Sequence, residues 1–256
     1  MISEFYYGTS WKWPIQVMPR VMLSANVVRN MKSTWEMPEL WMMDSGIGSL
    51  FKNGTRTLSI EKYKEILNKW NPPIAWAYDW PCEPSIRESL KYSVKEAQSM
   101  TTQNTIEMID DYLIYPVIQG WKLSDYLDHI DQLKAHGLIK ERMGIGSICR
   151  RGSQADIIRI IKAIRADLPS YVKLHGFGIK IAVLKGEGKF LLFSADSSSW
   201  DIERRYYQWT TESQRGLTWQ EKIPRLEEYI TKIEAMLNPV EPLYANIMEG
   251  FDDNKY

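Results

Sequence analysis

An alternation that runs along most of the chain is the strongest constraint on its fold. Short, β-rich apolar runs, most of them closed by a polar or glycine residue, are separated by longer stretches with helical periodicity. Eight runs are candidate strands, at residues 4–7, 21–25, 40–44, 74–79, 115–119, 142–147, 172–175 and 190–196. Strands alternating with helices mark βα units around a parallel sheet, and eight is the number at which such a sheet most commonly closes. A length of 256 residues is usual for one such barrel. The expectation is therefore an α/β fold, a single (β/α)8 TIM-type barrel over 1–256, loop-rich over 1–39 and with a C-terminal helical extension over 201–256.

The intervening helices are expected at 60–70, 85–100, 124–136, 153–167 and 218–237. In the third, Ser124 stands as N-cap before an apolar face of Tyr126, Leu127, Ile130 and Leu133, and Gly137 follows as the C′ glycine. The last carries Ile223, Leu226, Tyr229, Ile230, Ile233, Met236 and Leu237 at helical spacing and stops before Pro239. It is expected to pack outside the barrel or across one end.

Composition then removes several function classes. Apolar residues at 44% and charged residues at 25% are those of an ordinary globular chain. No apolar run reaches the length of a membrane span and no leader pattern opens the chain, so it reads as cytoplasmic with no membrane partner. Two cysteines, Cys82 and Cys149, are too few for a disulfide framework or a CxxC-type zinc site, and His129, His136 and His175 form no ligand spacing. Neither metal nor cofactor is expected, and His129 and His136 read as packing or surface residues. With 32 basic and 32 acidic residues the net charge does not advertise a nucleic-acid binder, although a local basic groove can still hold phosphates. Eleven tryptophans are many; Trp11, Trp13, Trp35 and Trp41 have surfaces that stack on bases or simply pack.

In a parallel barrel the C-terminal strand ends converge on one rim, where functional groups gather. The polar residues there are Asp44 and Ser45 in WMMDSG, Asp79 in IAWAYDWP, Gln119 and Gly120 in VIQGW, Gly146 and Ser147 in GIGS, His175 in LHGFG and Asp196 in SADSSSW. One such aspartate alone would be read as a helix cap or a loop acceptor, and one glycine as a turn. The phosphate-binding GxGxxG pattern is absent. Three aspartates and a glutamine on one rim, by contrast, are a concentration of hydrogen-bond acceptors.

In this order along residues 40–200, the segments DSG, Asp79 with Pro81 and Cys82, VIQG, GIGS, the GxG turn at Gly176 to Gly178, and SADS resemble the tRNA-guanine transglycosylase superfamily. The wording IGSICRR, LHGFGIK and SADSSSW is most similar to DpdA-type deazapurine DNA-modification proteins. That resemblance implies exchange of guanine in DNA for a 7-deazaguanine such as 7-cyano-7-deazaguanine (preQ0), a pentosyltransferase reaction through a covalent aspartyl-glycosyl intermediate. It implies Asp196 as nucleophile and Asp44 in proton handling or in holding the base and ribose. Asp79 would bind the base, with Ser45, Gln119, Gly120, Gly146, Ser147 and His175 around it. Arg150, Arg151, Lys180, Arg204 and Arg205 lie just past strand ends and are candidates for phosphate contacts, against the plain reading of solvated charges. Trp200 reads as core packing in preference to base stacking.

The implied partners are DNA, single-stranded or with its base flipped out, and the free 7-deazaguanine; a homodimer or a modification-complex partner is compatible with the resemblance. The chain departs from the tRNA enzymes in having no cysteine after Asp196, where they carry a zinc motif, and in leaving no room for an appended RNA-binding domain. The alternatives are exchange on tRNA, base release by water, and a non-catalytic nucleobase- or nucleic-acid-binding barrel acting as a subunit of a DNA-modification complex.

Overall fold

A computed structural model of the chain describes residues 1–46, 58–200 and 219–238. Among these residues are nine parallel strand segments: β1 (Glu4–Thr9), β2 (Val21–Ser24), β3 (Trp41–Asp44), β4 (Ile74–Trp76), β5 (Ile114–Tyr115), β6 (Val117–Ile118), β7 (Arg142–Ile145), β8 (Lys173–Gly176) and β9 (Ser194–Ser197). They are ordered β5-β4-β3-β2-β1-β9-β8-β7-β6. The two ends of that order, β5 and β6, are halves of one stretch divided by Pro116. The first half pairs with β4 and the second with β7. Proline cannot donate to a ladder, but its carbonyl still accepts from the Gly144 N–H at 2.9 Å. One chain stretch thus bridges both edges, and the sheet closes as the (β/α)8-type barrel expected from the alternation.

The helices are α1 (Ala25–Val28), α2 (Ile60–Trp70), α3 (Pro84–Leu90), α4 (Val94–Ile109), α5 (Leu123–Ala135), α6 (Gln154–Asp167), α7 (Ile181–Lys185), α8 (Gly188–Leu191) and α9 (Trp219–Leu237). Three expectations are corrected. The helix expected at 85–100 is two helices, because Lys91 takes a left-handed conformation at φ 57° and Ser93 with Glu96 opens α4 as a reciprocal capping box. The strand expected at 190–196 starts only at Ser194, and Phe190 and Leu191 belong to α8. The N-cap of helix α5 is Lys122, two residues before the expected Ser124, and Asp125 accepts the Trp121 and Lys122 amides. The part at 1–39 carries the two strands expected there, as β1 and β2.

Side-chain alternation along each strand builds two cores. Tyr6, Met22, Met42, Trp76 and Val117 pack inside the barrel, with Phe177 against them. Phe5, Tyr7, Val21, Leu23, Met43 and Ala75 face outward into the larger core beneath the helices. Below the inner core, Glu4 accepts two bonds from Arg142, at 3.0 and 3.3 Å, and one from the Tyr6 hydroxyl at 2.9 Å. This charge-assisted pair closes the N-terminal end of the barrel. Above the inner core lies the opposite end, where the same parity points Asp44 and Asp196 inward.

Helix α9 packs on the outer face of β1, where Glu234 accepts from the Tyr7 hydroxyl at 3.1 Å and Tyr229 meets the Ser199 hydroxyl at 2.8 Å. No helix among the described residues is long and apolar enough to cross a membrane.

Candidate active site at the C-terminal rim

Two backbone donors and one side chain hold the end of β9. Asp196 sits in the strand segment Ser194–Ser197, with Ala195 buried outward. Its Oδ1 accepts from His175 Nε2 at 3.2 Å and from the Gly178 N–H at 2.9 Å, and its main-chain carbonyl accepts the Ile179 N–H at 3.0 Å. Among the described residues no hydrogen bond reaches Oδ2. Gly178 has φ +57°, and a Cβ there would lie 2.7 Å from the Cys149 Cβ. The turn that presents its amide to Asp196 therefore requires glycine.

His175 is fully buried and stacks on Trp76, ring centroids 4.9 Å apart. Its Nδ1 lies 2.9 Å from the Ser194 hydroxyl. A carboxylate only accepts, so the Nε2 of His175 is the donor in its contact with Asp196. His175, open to a base or backbone contact or to a packed, hydrogen-bonded role, lies buried against Trp76 with its Nε2 on Asp196.

Asp44 ends β3. Burial, then the nearby Asp196 charge, with Asp79 adding to it, pushes its carboxyl up to about 7; the Ser24 hydroxyl and the Gly46 amide pull the other way. Its Oδ1 is inaccessible and has no hydrogen-bond partner. A carboxyl with such a value is divided between acid and carboxylate at neutral pH, as general acid–base work requires.

Asp79 is not at a strand end as expected, because β4 stops at Trp76 and Asp79 lies in the irregular stretch beyond it. Two side chains fix it there. Ser45 donates to Oδ1 at 3.0 Å and Gln119 Nε2 donates to Oδ2 at 2.5 Å. Burial outweighs these bonds and pushes the Asp79 carboxyl up to about 6.

Gln119 is held at every polar group. Its N–H donates to His129 Nδ1 at 2.8 Å and its carbonyl accepts from Gln98 Nε2 at 2.9 Å. Its amide oxygen lies 2.7 Å from the Ser147 hydroxyl. Burial lowers His129 to about 3, so the ring is neutral and its Nε2–H meets Thr102 Oγ1 at 3.1 Å. A Cβ on Gly146 would come within 2.2 Å of Gln119 Nε2, so this glycine makes the space the amide occupies. Gly120 likewise lets the chain pass Tyr126.

The structure therefore brings together Asp44, Ser45, Asp79, Gln119, Gly146, Ser147, His175 and Asp196. The basic candidates divide. Arg151 is buried, lies over the Trp121 ring at 4.3 Å and bonds Asp156 at 2.6 Å and the Trp121 carbonyl. It is turned into the protein. Arg150 and Lys180 are exposed near the rim, and Arg204 and Arg205 lie outside the described residues. Trp200 packs as expected, its indole N–H donating to the Gly8 carbonyl at 2.8 Å. Trp13 packs on Trp200, Trp35 and Trp41 pack on Trp70, and Trp11 is half exposed.

Sequence reading missed Glu83, Gln98 and the supporting role of His129. Glutamate is a poor substitute for Ser, Thr, Asn or Asp directly before a helix, which sets Glu83 apart as a cap without marking a function. No group of three potential metal ligands occurs among the described residues.

A rim of three carboxyl groups, one clamped through a single oxygen and two carrying raised pKa values, suits covalent work at a glycosidic carbon and recognition of a base rich in N–H donors. No curated protein matches the chain. The family model described as DpdA, DeoxyPurine in DNA protein A, matches residues 1–214, and the chain belongs to this tRNA-guanine transglycosylase-like family of deazapurine DNA-modification proteins.

Proposed function

We propose that the protein exchanges guanine in DNA for a 7-deazaguanine, with Asp196 as the nucleophile. The observation that carries this reading is the one-sided clamp on Asp196: two donors on Oδ1 and, among the described residues, none on Oδ2. Held this way, Oδ2 is aimed while its lone pairs remain available. It attacks C1′ of the target nucleotide from the face opposite the base, the C1′–N9 bond breaks, and its electron pair leaves with the base. Asp44 in its acid form supplies the proton the departing base takes up. The resulting Asp44 carboxylate then removes the N9 proton of the incoming 7-deazaguanine, whose nitrogen attacks C1′ and releases Asp196. Two inversions return the original configuration, and water must stay out between them.

Asp79 and Gln119 select the base. A carboxylate matches the N1–H and exocyclic amine of guanine, while an amide N–H faces O6. Adenine reverses that pattern and leaves buried groups unpaired, at a cost of about 1 to 3 kcal/mol for each. The substrate is a flipped or single-stranded nucleotide, because a stacked base does not reach a barrel rim.

Incubation with radiolabelled guanine and either single-stranded DNA or tRNA tests the reading. Label is expected in DNA. Label in tRNA alone would transfer the same chemistry to RNA, free base released without incorporation would mean a glycosidase, and no turnover with either polymer would point to a binding subunit.

A further inference from the structure

The geometry points to Phe177 as the floor of the base pocket: its ring closes the barrel interior beneath the rim carboxyl groups, and the purine lies against it. This rests on the reading of the C-terminal mouth as the seat of a base, and adds the apolar contact that the polar rim does not supply.

Two glycines near the end of β7 make the arrangement. Arg142 and Gly144 point into the barrel, and Gly146 follows with the same parity. A Cβ on Gly144 would come within 2.5 Å of Phe177 Cε2 and 3.2 Å of Trp76 Cε3, and a Cβ on Gly146 would strike the Gln119 amide. The lower gap therefore holds the tip of the Phe177 ring, and the upper gap holds the amide. At a rise of about 3.3 Å per residue and a strand tilt of about 36°, the two levels stand roughly 5 Å apart along the barrel axis. Aromatic rings pack with centroids about 4.5–7 Å apart. A purine held along its edge by Asp79 and Gln119 thus lies one layer above Phe177.

The barrel is closed below that ring. Tyr6, Met22, Met42, Trp76, Val117 and His175 are all buried. Phe177 meets Trp76 and His175 edge to face, at centroid distances of 5.1 and 4.8 Å, yet stays partly exposed. Two other partly exposed side chains pack on this inner core, Ile74 and Tyr115. Both belong to its opposite end: Ile74 opens β4, and the Tyr115 hydroxyl donates to Glu141 at 3.3 Å. The uncovered part of Phe177 faces the mouth. A flat heterocycle covers it, removing apolar surface from water, while its edge stays on the polar groups. The neighbouring Gly178 N–H holds Asp196 at 2.9 Å, so one turn supplies both the floor and part of the clamp on Asp196.

Two measurements test this without DNA: equilibrium dialysis with radiolabelled guanine, and nuclear Overhauser spectra of phenylalanine-labelled protein with free 7-deazaguanine. The Phe177 ring, recognised by the signals that disappear in Phe177→Leu, is expected to show cross-peaks to the bound base. Leucine still fills the Gly144 gap but has no ring, so guanine affinity is expected to fall about five- to tenfold. A melting curve establishes that the variant is folded. Phe177→Met, whose flexible side chain fills the same gap, is expected to lose as much and serves should the leucine variant not fold.

Wild-type protein that binds the base without a cross-peak to Phe177 would overturn the assignment, as would unchanged affinity in either folded variant. Wild-type protein that retains no base would overturn the reading of the mouth as a base site, and the floor with it. The expected cross-peak and affinity loss, in a protein that transfers no label to DNA, would support this role of Phe177 and sink the transglycosylase reading.

Discussion

Asp196→Asn is expected to abolish base exchange, by about 10⁴-fold or more, while guanine binding stays within a few-fold of the wild-type protein. The magnitude is that of removing a nucleophile from a site whose remaining groups still bind. The fold should tolerate the change. Asparagine keeps an oxygen where Oδ1 accepts from His175 and Gly178, and its nitrogen takes the position of Oδ2, which no described residue bonds. Stability and base binding are therefore separated from chemistry in one variant. Initial rates of label incorporation into DNA, measured beside guanine dialysis and a melting curve, check all three. Exchange at the wild-type rate would remove Asp196 from the chemistry.

Asp44→Asn is expected to stabilise the protein at alkaline pH while costing about 10² to 10⁴ in exchange rate, the usual contribution of a general acid–base group. The sign follows from the shift. Burial and the charges of Asp196 and Asp79 raise Asp44 from an ordinary value of 3.8 to about 7. Between those values the folded chain binds a proton that the unfolded chain has released. The stability this contributes is fully present below about pH 4 and is lost as pH rises through 7. Asp79, raised to about 6, adds the same trend over a narrower window.

An ionised Asp44 at pH 8 costs about 2 to 4 kcal/mol, discounted at the lower end for its partial contact with solvent. Relieving it should raise the melting temperature by about 5 °C at pH 8 and by little at pH 4. Parallel melting curves of wild type and variant from pH 4 to 8 measure the difference. Curves that stay parallel across this range would mean that Asp44 titrates as an ordinary surface carboxyl.

Much of this site was legible because barrel strands end where apolar runs end. Asp44 and Asp196 follow WMM and SA directly, and their inward direction follows from the two-residue period of a strand. Asp79 was found for an incomplete reason. Its run, IAWAYD, continues apolar for two residues after β4 stops, since Ala77 and Tyr78 are buried by tertiary packing while no longer in the strand. The break at Lys91 was hidden in the same way, because α3 and α4 share a nearly continuous helical period and only the Ser93 and Glu96 box separates them.

Gln98, His129 and Glu83 carried no local signal of function. Each sits on a helix or just before one, and each acts on Gln119 or Ser147 across a gap of 10 to 64 residues. Such partners are set by the packing of helices on the barrel. Arg151 shows the converse: its position past a strand end suggested a phosphate contact, yet Trp121 and Asp156 claim its guanidinium.

The covalent step is the claim on which the remaining chemistry depends, and intact-mass spectrometry after acid quench reads it directly. Single-stranded DNA containing guanine, mixed with the protein in the absence of any added free base, should leave a fraction of the chain heavier by the mass of the base-depleted oligonucleotide. Peptide mapping should place that mass on Asp196. A chain that turns over guanine in DNA yet never carries the added mass, or carries it on another residue, would contradict an aspartyl intermediate at this position.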